Sequence, residues 1–261
     1  DLLYDNDYDE FSPISPEVRK ELMEIDGVDS DKSYIMEGAY LYTVISKKGI
    51  RPLEQVFLAE DAEDEMIEGW DQDVVQILKE DEIKSLKKYV ETNSLPGDMD
   101  SLENGTGVLI LHDHALSAAQ EKLAGESIGE PVYFKTMKSR EDRIRWNNMT
   151  AQERTEQEEA GDFQMKQSEN FTLCGYLDNR KEDFPEIRQT WHGSEGDLYF
   201  LISEKGFQRI PTEKKTLYME LNVDQAKESF VKTSVQRIIS EENQRRSRMT
   251  ETAFDEGTGE A

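Results

Sequence analysis

The sequence predicts an α+β fold in which strands and helices follow one another irregularly. Short apolar runs rich in β-branched and aromatic residues, such as residues 108–111, are typical of strands. Other segments carry apolar residues three or four positions apart, which indicates amphipathic helices. No regular strand–helix–strand repeat connects them, and a doubly wound parallel sheet requires that repeat.

The first predicted helix begins after Ser15, which can cap its free N–H groups, and Pro16 fits the first helical position. Gly27 is predicted to end this helix. A strand is predicted over residues 33–46 and a returning strand over residues 51–60. The apolar residues on one face of the helix are Val18, Leu22 and Ile25.

The rest of the chain continues the mixture of helices and strands. Helices are predicted over residues 81–91, between Asp113 and Gly125, after Ser203, and after Asp224. Residues 93–107, which contain several Gly and a Pro, predict a loop. The predicted strands are residues 73–78, 108–111, 131–136, 170–177, 198–202 and 217–223.

Two polar segments lack a clear apolar period. Residues 138–167 predict a solvated extension, although Thr150 and Glu153 have the spacing of a capping box. Residues 240–261 are polar and end in a Gly-containing tail, which predicts a linker.

The chain is strongly acidic. Its 57 Asp and Glu residues outnumber its 31 Lys and Arg residues, so the formal net charge is −26. Such a charge repels phosphate backbones, which excludes nucleic acid as a partner. It attracts cationic ligands such as basic peptides, and the alternative interpretation is that it only keeps the domain soluble.

The acidic residues do not predict a metal site. Residues 5–9 and 29–33 begin like calcium loops, but neither has the Gly and Glu that an EF-hand needs at its sixth and twelfth positions. His112 and His114 would share one face of a strand, as zinc ligands can. No further metal-binding motif accompanies them, and Asp113 between them has a simpler predicted role as a helix cap. We therefore predict no metal.

No catalytic motif is present in the sequence. Cys174, the single cysteine, lies in an apolar run and is interpreted as a small buried residue. The acid pair Asp71 and Asp73 has the residue types of a glycosidase, but such pairs are unavoidable among 57 carboxylates. The prediction is a protein that is not an enzyme, with no catalytic residue, no cofactor and no assigned ligand-binding residue.

The first residue is not Met, no signal peptide opens the chain, and no apolar run reaches the ~20 residues that span a bilayer. We interpret the chain as a fragment of a larger membrane protein.

Several segments, in order, resemble the extracytoplasmic domain of FtsX-like ABC transporter permeases, also called the MacB-like periplasmic core domain. Residues 14–30 (ISPEVRKELMEIDGVDS) resemble its first helix, and residues 104–134 are similar to its strand–helix–Gly–strand unit. In the latter, Gly129, Glu130 and Val132 stand where the family usually has Gly, Asp and Val. Residues 171–179, 197–210 and 216–239 resemble the later strands and the last helix, whereas residues 138–167 have no counterpart.

The resemblance implies a membrane-proximal α+β subdomain formed by residues 1–60 and 198–261, with a β-rich distal subdomain at 61–197 inserted between them. Both termini would then lie near the membrane, on its extracytoplasmic side. The implied function is to bind a substrate or partner and to transmit ATP-driven conformational change, or to take part in export.

The partners implied by the family are the flanking transmembrane helices of the same polypeptide and a cytoplasmic ATP-binding subunit, in a dimeric transporter. A peptide, a lipoprotein or a cell-wall hydrolase would be its extracellular partner. One cysteine and an acidic surface suit a Gram-positive bacterium. The alternative function is an anchored surface adhesin or solute-binding domain.

Overall fold

The structure is a computed structural model that describes residues 14–45, 73–136, 149–150, 153, 166–189 and 198–257. For residues 42–45 and 246–257 it describes the backbone alone. These residues form helices and a mixed sheet of eight strands, which confirms the predicted α+β class. The helices are α1 (Pro16–Met23), α2 (Glu80–Thr92), α3 (Met99–Asn104), α4 (Ala118–Ser127), α5 (Glu204–Phe207), a 3₁₀ turn (Gln225–Lys227) and α6 (Glu228–Gly257). The strands are β1 (Val28–Ile45), β2 (Asp73–Leu78), β3 (Gly107–His112), β4 (Pro131–Thr136), β5 (Lys166–Gln167), β6 (Phe171–Asp178), β7 (Tyr199–Ser203) and β8 (Lys215–Val223).

The chain divides into two compact units. The first contains Asp1–Glu37 and Lys215–Ala261, and the second contains Gly38–Lys214. This division differs from the predicted domain bounds at 60/61 and 197/198, which fall at segments outside the described residues. Residues 198–214 belong to the second unit because β7 pairs with β2 and β3, which both lie there.

The first unit is built from both ends of the chain. Ser15 caps α1 as predicted, its hydroxyl accepting a hydrogen bond from the Val18 N–H at 3.2 Å. Gly27 does not end this helix, which stops at Met23. One apolar core joins α1 to α6 and to β8, and its buried members are Val18, Leu22, Ile25, Val231, Val235 and Ile238.

The strands of the second unit form a closed ring. β4 pairs antiparallel with β6, which is parallel to β3, and β3 is antiparallel to β7. β7 is parallel to β2, and β2 neighbours β1. The last part of β1 returns to β4, with Tyr42 opposite Lys135. Six strands therefore form a ring, and β5 extends it at β4.

Alternate residues of these six strands fill one core. β2, β3 and β7 are buried along their whole length, so both of their faces are covered. The alternation of period two places every second side chain in the same cluster. The strand residues in this cluster are Ala39, Leu41, Val75, Ile77, Val108, Ile110, Val132, Phe134, Phe171, Leu173, Phe200 and Ile202.

Further local predictions are wrong. Residues 93–107 are not all loop, because Asp98 caps the short helix α3 and Gly105 ends it with a φ of 81°. Ser117, not Asp113, caps α4, and Gly125 lies inside that helix rather than at its end. The segment 240–257 is not a linker, since α6 continues to Gly257.

The predicted capping box is present, with the Thr150 N–H donating to Glu153 Oε2 at 2.8 Å. The returning strand at 51–60 and most of the polar extension at 138–167 lie outside the described residues.

Candidate functional site

An open cleft lies in the first unit, between the turn after α1 and the end of β8. Its volume is about 520 Å³. Polar backbone and side-chain groups predominate at its surface, so it suits a polar ligand better than an apolar one. The lining residues are Gly27, Val28, Asp29, Ser30, Lys32, Asn222, Val223 and Asp224.

Gly27 fixes the shape of this cleft. Its φ of +102° lies in the left-handed region, where residues with a β-carbon are strained. A β-carbon at this position would also lie 2.8 Å from Cβ of Lys227. The Gly27 carbonyl accepts a hydrogen bond from the Asp224 N–H at 2.8 Å, which joins the turn to the residue that follows β8.

Two lysines neutralise carboxylates around the cleft. Lys32 Nζ lies 2.6 Å from Asp29 Oδ2, and Lys227 Nζ lies 2.5 Å from Asp26 Oδ1. The hydrogen bond from Lys32 holds the pKa of Asp29 below its usual value, and the same contact raises the pKa of Lys32. Asp29 is therefore an ion-pair partner of Lys32, and the Ser33 hydroxyl donates to its carbonyl at 2.8 Å.

A second polar cluster lies where the parallel strands β3 and β6 end. Their last residues, His112 and Asp178, are opposite each other in the register. His112 is 4% exposed, and its Nδ1 lies 2.9 Å from the carbonyl oxygen of His114. Burial lowers the pKa of His112, against the opposing effects of this hydrogen bond and of Asp178. His112 is therefore neutral at pH 7.

Arg180 holds the carboxylate of Asp178 with two hydrogen bonds. Its Nε lies 2.9 Å from Oδ1, and its Nη2 lies 2.8 Å from Oδ2. Burial alone would raise the pKa of Asp178, but the hydrogen bonds from the Arg180 side chain and backbone N–H lower it to about 2. The carboxylate is therefore ionised at every physiological pH.

The predicted histidine pair does not converge on a metal-binding geometry. The two rings lie 5.6 Å apart, and His112 directs Nδ1 to a backbone carbonyl. Within the part of the chain that the structure describes, no group of three His, Cys, Asp or Glu residues could hold a metal ion. The acidic loop at residues 5–9 lies outside that part.

The other candidate chemical groups have structural roles. Cys174 is buried as predicted, and its Sγ donates to the carbonyl of Val108 at 3.1 Å. Burial raises the pKa of its thiol to about 12. Asp73 is also buried, and its carboxylate accepts a hydrogen bond from the Leu198 N–H at 3.0 Å. Asp71, its predicted acid partner, lies outside the described residues.

No protein-family model matches the chain, and no curated protein matches it either. Among the helices within the described residues, none combines the length and the apolar character that crossing a bilayer requires.

The sequence did not predict the cleft or the Asp178–Arg180 pair. The cleft depends on Gly27 and Asp224, which are about 200 residues apart and meet only in the fold. The second cluster had a partial signal, since Asp178 and Arg180 directly follow an apolar strand. The parallel pairing that places His112 opposite Asp178 leaves no local trace in the sequence.

Proposed function

We propose that the chain is the extracytoplasmic domain of an FtsX-like ABC transporter permease. In this role it binds a substrate or partner protein and transmits ATP-driven movement of the membrane helices to it. The ordered sequence resemblance suggests this family, and one structural feature supports it.

That feature is the shared core of the two chain ends. Val18 and Leu22 from α1 pack in one apolar cluster with Val235 and Ile238 from α6. A backbone bridge adds to this core, with the Ile14 N–H donating to the Thr216 carbonyl at 2.8 Å. Membrane helices attached before α1 and after α6 would therefore act on one packed body rather than on two loose ends.

An ion pair and a hydrogen bond strengthen the same body. Arg19 Nη1 lies 2.8 Å from Glu37 Oε1 and 3.2 Å from Thr216 Oγ1, so α1 is joined to β1 and to β8. Close-packed protein interiors transmit strain because their side chains have little free volume to absorb it. A displacement at either chain end would reach β1, and β1 continues into the second unit.

Pulsed electron-spin distance measurement on the full-length protein tests the proposal. Lys20→Cys on α1 and Lys122→Cys on α4 each place a spin label at an exposed position, one in each unit. The native Cys174 can stay, because its buried thiol does not take up the label. The protein is reconstituted with its ATP-binding subunit, and distances between the two copies are recorded with and without ATP.

We expect the distance distributions of both labels to shift on ATP addition and to return after hydrolysis. ADP serves as the control nucleotide. Unchanged distances in a complex that hydrolyses ATP would contradict mechanotransmission. A full-length gene that encodes a lipid anchor or a cell-wall sorting signal, without flanking membrane helices, would favour the surface adhesin or solute-binding alternative.

A further inference from the structure

We propose that Asn104 is a site of covalent modification: its side-chain amide is lost through attack by the Gly105 nitrogen, and the native packing of Gly105 limits this deamidation to molecules in which the end of α3 has opened. The two residues form an Asn-Gly step between α3 and β3. The inference does not depend on the proposed permease function.

The chemistry needs only these two residues and water. The backbone nitrogen of Gly105 loses its proton and attacks Cγ of Asn104, a C–N bond forms, and the side-chain nitrogen leaves as ammonia. Water then opens the five-membered succinimide. Cleavage of the new C–N bond gives aspartate, and cleavage of the original peptide bond gives isoaspartate. Because glycine presents no side chain that hinders the attack, Asn-Gly is a highly reactive step in an unfolded chain.

In the native structure the attacking nitrogen is blocked. The Gly105 N–H donates to the Leu102 carbonyl at 3.1 Å, in the hydrogen bond that closes the last turn of α3. This bond keeps the proton on the nitrogen and directs the N–H to the helix rather than to the Asn104 side chain. Gly105 is also buried, so its N–H is shielded from the water and hydroxide that would remove the proton.

The Asn104 side chain is not blocked in the same way. It is exposed, and no hydrogen bond joins its amide to another of the described residues. Its Cγ is therefore ready to react as soon as the Gly105 nitrogen is released. The barrier that the fold adds to deamidation lies in Gly105 and in the groups that pack on it.

Contacts from α5 and the turn after it hold Gly105 in place. A β-carbon on Gly105 would lie 2.7 Å from the Gly206 nitrogen, so the two backbones are in close contact. Arg209 Nη1 donates to the Gly105 carbonyl at 2.7 Å, and Arg209 Nε and Nη2 bind Glu169 Oε2 at 3.0 and 2.9 Å. The guanidinium carbon lies 4.7 Å from the centre of the Phe171 ring. Arg209 therefore ties the end of α3 to the start of β6.

The helix α3 adds little stability of its own. It has six residues and buries the apolar side chains of Met99 and Leu102. A short segment held mainly by neighbouring elements opens at a lower free energy than the central strands. Local opening and closing is much faster than deamidation. The rate in the folded protein is therefore the rate in the open chain multiplied by the fraction of molecules that are open.

The isoaspartate product cannot restore the native contacts. Its main chain passes through Cβ, which inserts one carbon between Cα of residue 104 and the nitrogen of Gly105. This insertion displaces Gly105, and the close contact with Gly206 leaves no space for the displacement. Both products also place a new negative charge at the carboxyl end of α3, beside Glu103, where the helix dipole disfavours it.

Peptide mapping by mass spectrometry, after incubation at pH 8 and 37 °C, tests the proposal. The tryptic peptide 89–122 contains Asn104, and electron-transfer fragmentation distinguishes aspartate from isoaspartate. We expect deamidation of Asn104 to be at least about tenfold slower in the folded chain than in urea, since one charge-assisted hydrogen bond alone lowers the open fraction by that factor. Asn104→Gln should remove the mass change at this position.

Arg209→Gln tests the contact that closes the site. Loss of the hydrogen bond to the Gly105 carbonyl should raise the rate in the folded protein about tenfold. Arg180→Gln is the matched control, because it also removes a hydrogen-bonded guanidinium from the second unit, but one that binds Asp178 at the opposite end of β6. This control should keep the wild-type rate.

A folded chain that deamidates as fast as the unfolded chain overturns the proposal, as does an unchanged rate in Arg209→Gln or an equal acceleration in Arg180→Gln. If Arg209→Gln does not fold, Glu169→Gln replaces it, because it removes an exposed partner of the same guanidinium. The expected acceleration is then about two- to fivefold, and an unchanged rate again contradicts the proposal.

Asn104→Asp separates the two products, since it carries the new charge without the added backbone carbon. Chain enriched in isoaspartate by incubation in urea, and then refolded, should unfold at a lower urea concentration than Asn104→Asp. Equal midpoints would show that isoaspartate restores the contact between Gly105 and Gly206, and would overturn that part of the proposal.

Discussion

Gly105 and Gly129 allow the effects of backbone strain and of crowding to be measured separately. Both lie in the second unit and both have positive φ, +81° and +90°. A β-carbon on Gly105 would lie 2.7 Å from the backbone N of Gly206 and 2.8 Å from the carbonyl carbon of Lys205. A β-carbon on Gly129 would meet nothing within 4 Å. The two Gly→Ala substitutions therefore share a conformational cost and differ in contact.

The magnitudes follow from these geometries. Placing alanine in the left-handed region costs about 1–2 kcal/mol at either position. Alanine also restricts the unfolded chain more than glycine does, and this loss of conformational entropy offsets about 0.4–1 kcal/mol of the strain cost in both variants. Gly105→Ala carries an additional overpacking cost of about 1–3 kcal/mol, because the crowded atoms belong to backbone that cannot rotate away.

Urea unfolding followed by far-UV circular dichroism measures the difference. With a slope of about 2 kcal/mol/M, the Gly105→Ala midpoint should lie roughly 0.5–1.5 M below that of Gly129→Ala. Equal midpoints with equal slopes would refute the contact argument. A Gly129→Ala protein more stable than the wild type would refute the strain argument.

Three further predictions concern capping, thiol reactivity and pH. Ser117→Ala should destabilise the protein by about 1 kcal/mol in urea unfolding, since Ser117 caps α4, whereas Asp113→Ala should change stability by less than about 0.5 kcal/mol. Cys174 should react with a thiol reagent at pH 8 only after urea unfolds the protein, because burial raises its pKa to about 12; rapid labelling of the folded protein would contradict this. Asp178 stabilises the fold above its ordinary pKa of 3.8, and this contribution disappears as the pH falls towards its folded value of about 2. Acid titration by circular dichroism should show that loss in the wild type and not in Asp178→Asn.

Elements with a strong local signal were predicted well. The strands at 73–78 and 131–136 have the predicted bounds, because their apolar runs are bounded by polar or turn residues. The cap at Ser15 was predictable because Pro16 and the following apolar period agree with it. Local propensity and tertiary packing favour the same structure at these positions.

The failures occurred where tertiary contacts outweigh local pattern. The helix α3 buries only Met99 and Leu102, too few positions to give a recognisable period. Asp113 and Ser117 are both good helix caps, and which of them begins the helix depends on where β3 ends. Ser117 is also favoured because its N–H donates to Gln120 Oε1 at 2.9 Å. α6 extends far beyond Val231, Val235 and Ile238, its buried members in the core of the first unit, and too few apolar residues follow to give a clear helical period.

The candidate sites were less predictable than the fold. His112 and His114 were recognised as notable, but a spacing of two residues could not show that His112 binds a backbone carbonyl. The partners of His112 come from β6 and from the turn after it, and only strand pairing brings them together. The two segments that line the cleft of the first unit, one around Gly27 and one around Asp224, are similarly remote in sequence.

The core shared by α1 and α6 also affects the order in which parts of the chain can fold during synthesis. Asp26 and Lys227, which form an ion pair in the first unit, are 201 residues apart. At about 5–20 residues per second, α1 leaves the ribosome roughly 10–40 s before its partners in α6 exist. Residues 38–214 are complete earlier and can acquire their ring of strands first. The apolar face of α1 must meanwhile remain in contact with water or with a chaperone, so α1 packs into its core only after the 38–214 unit is complete.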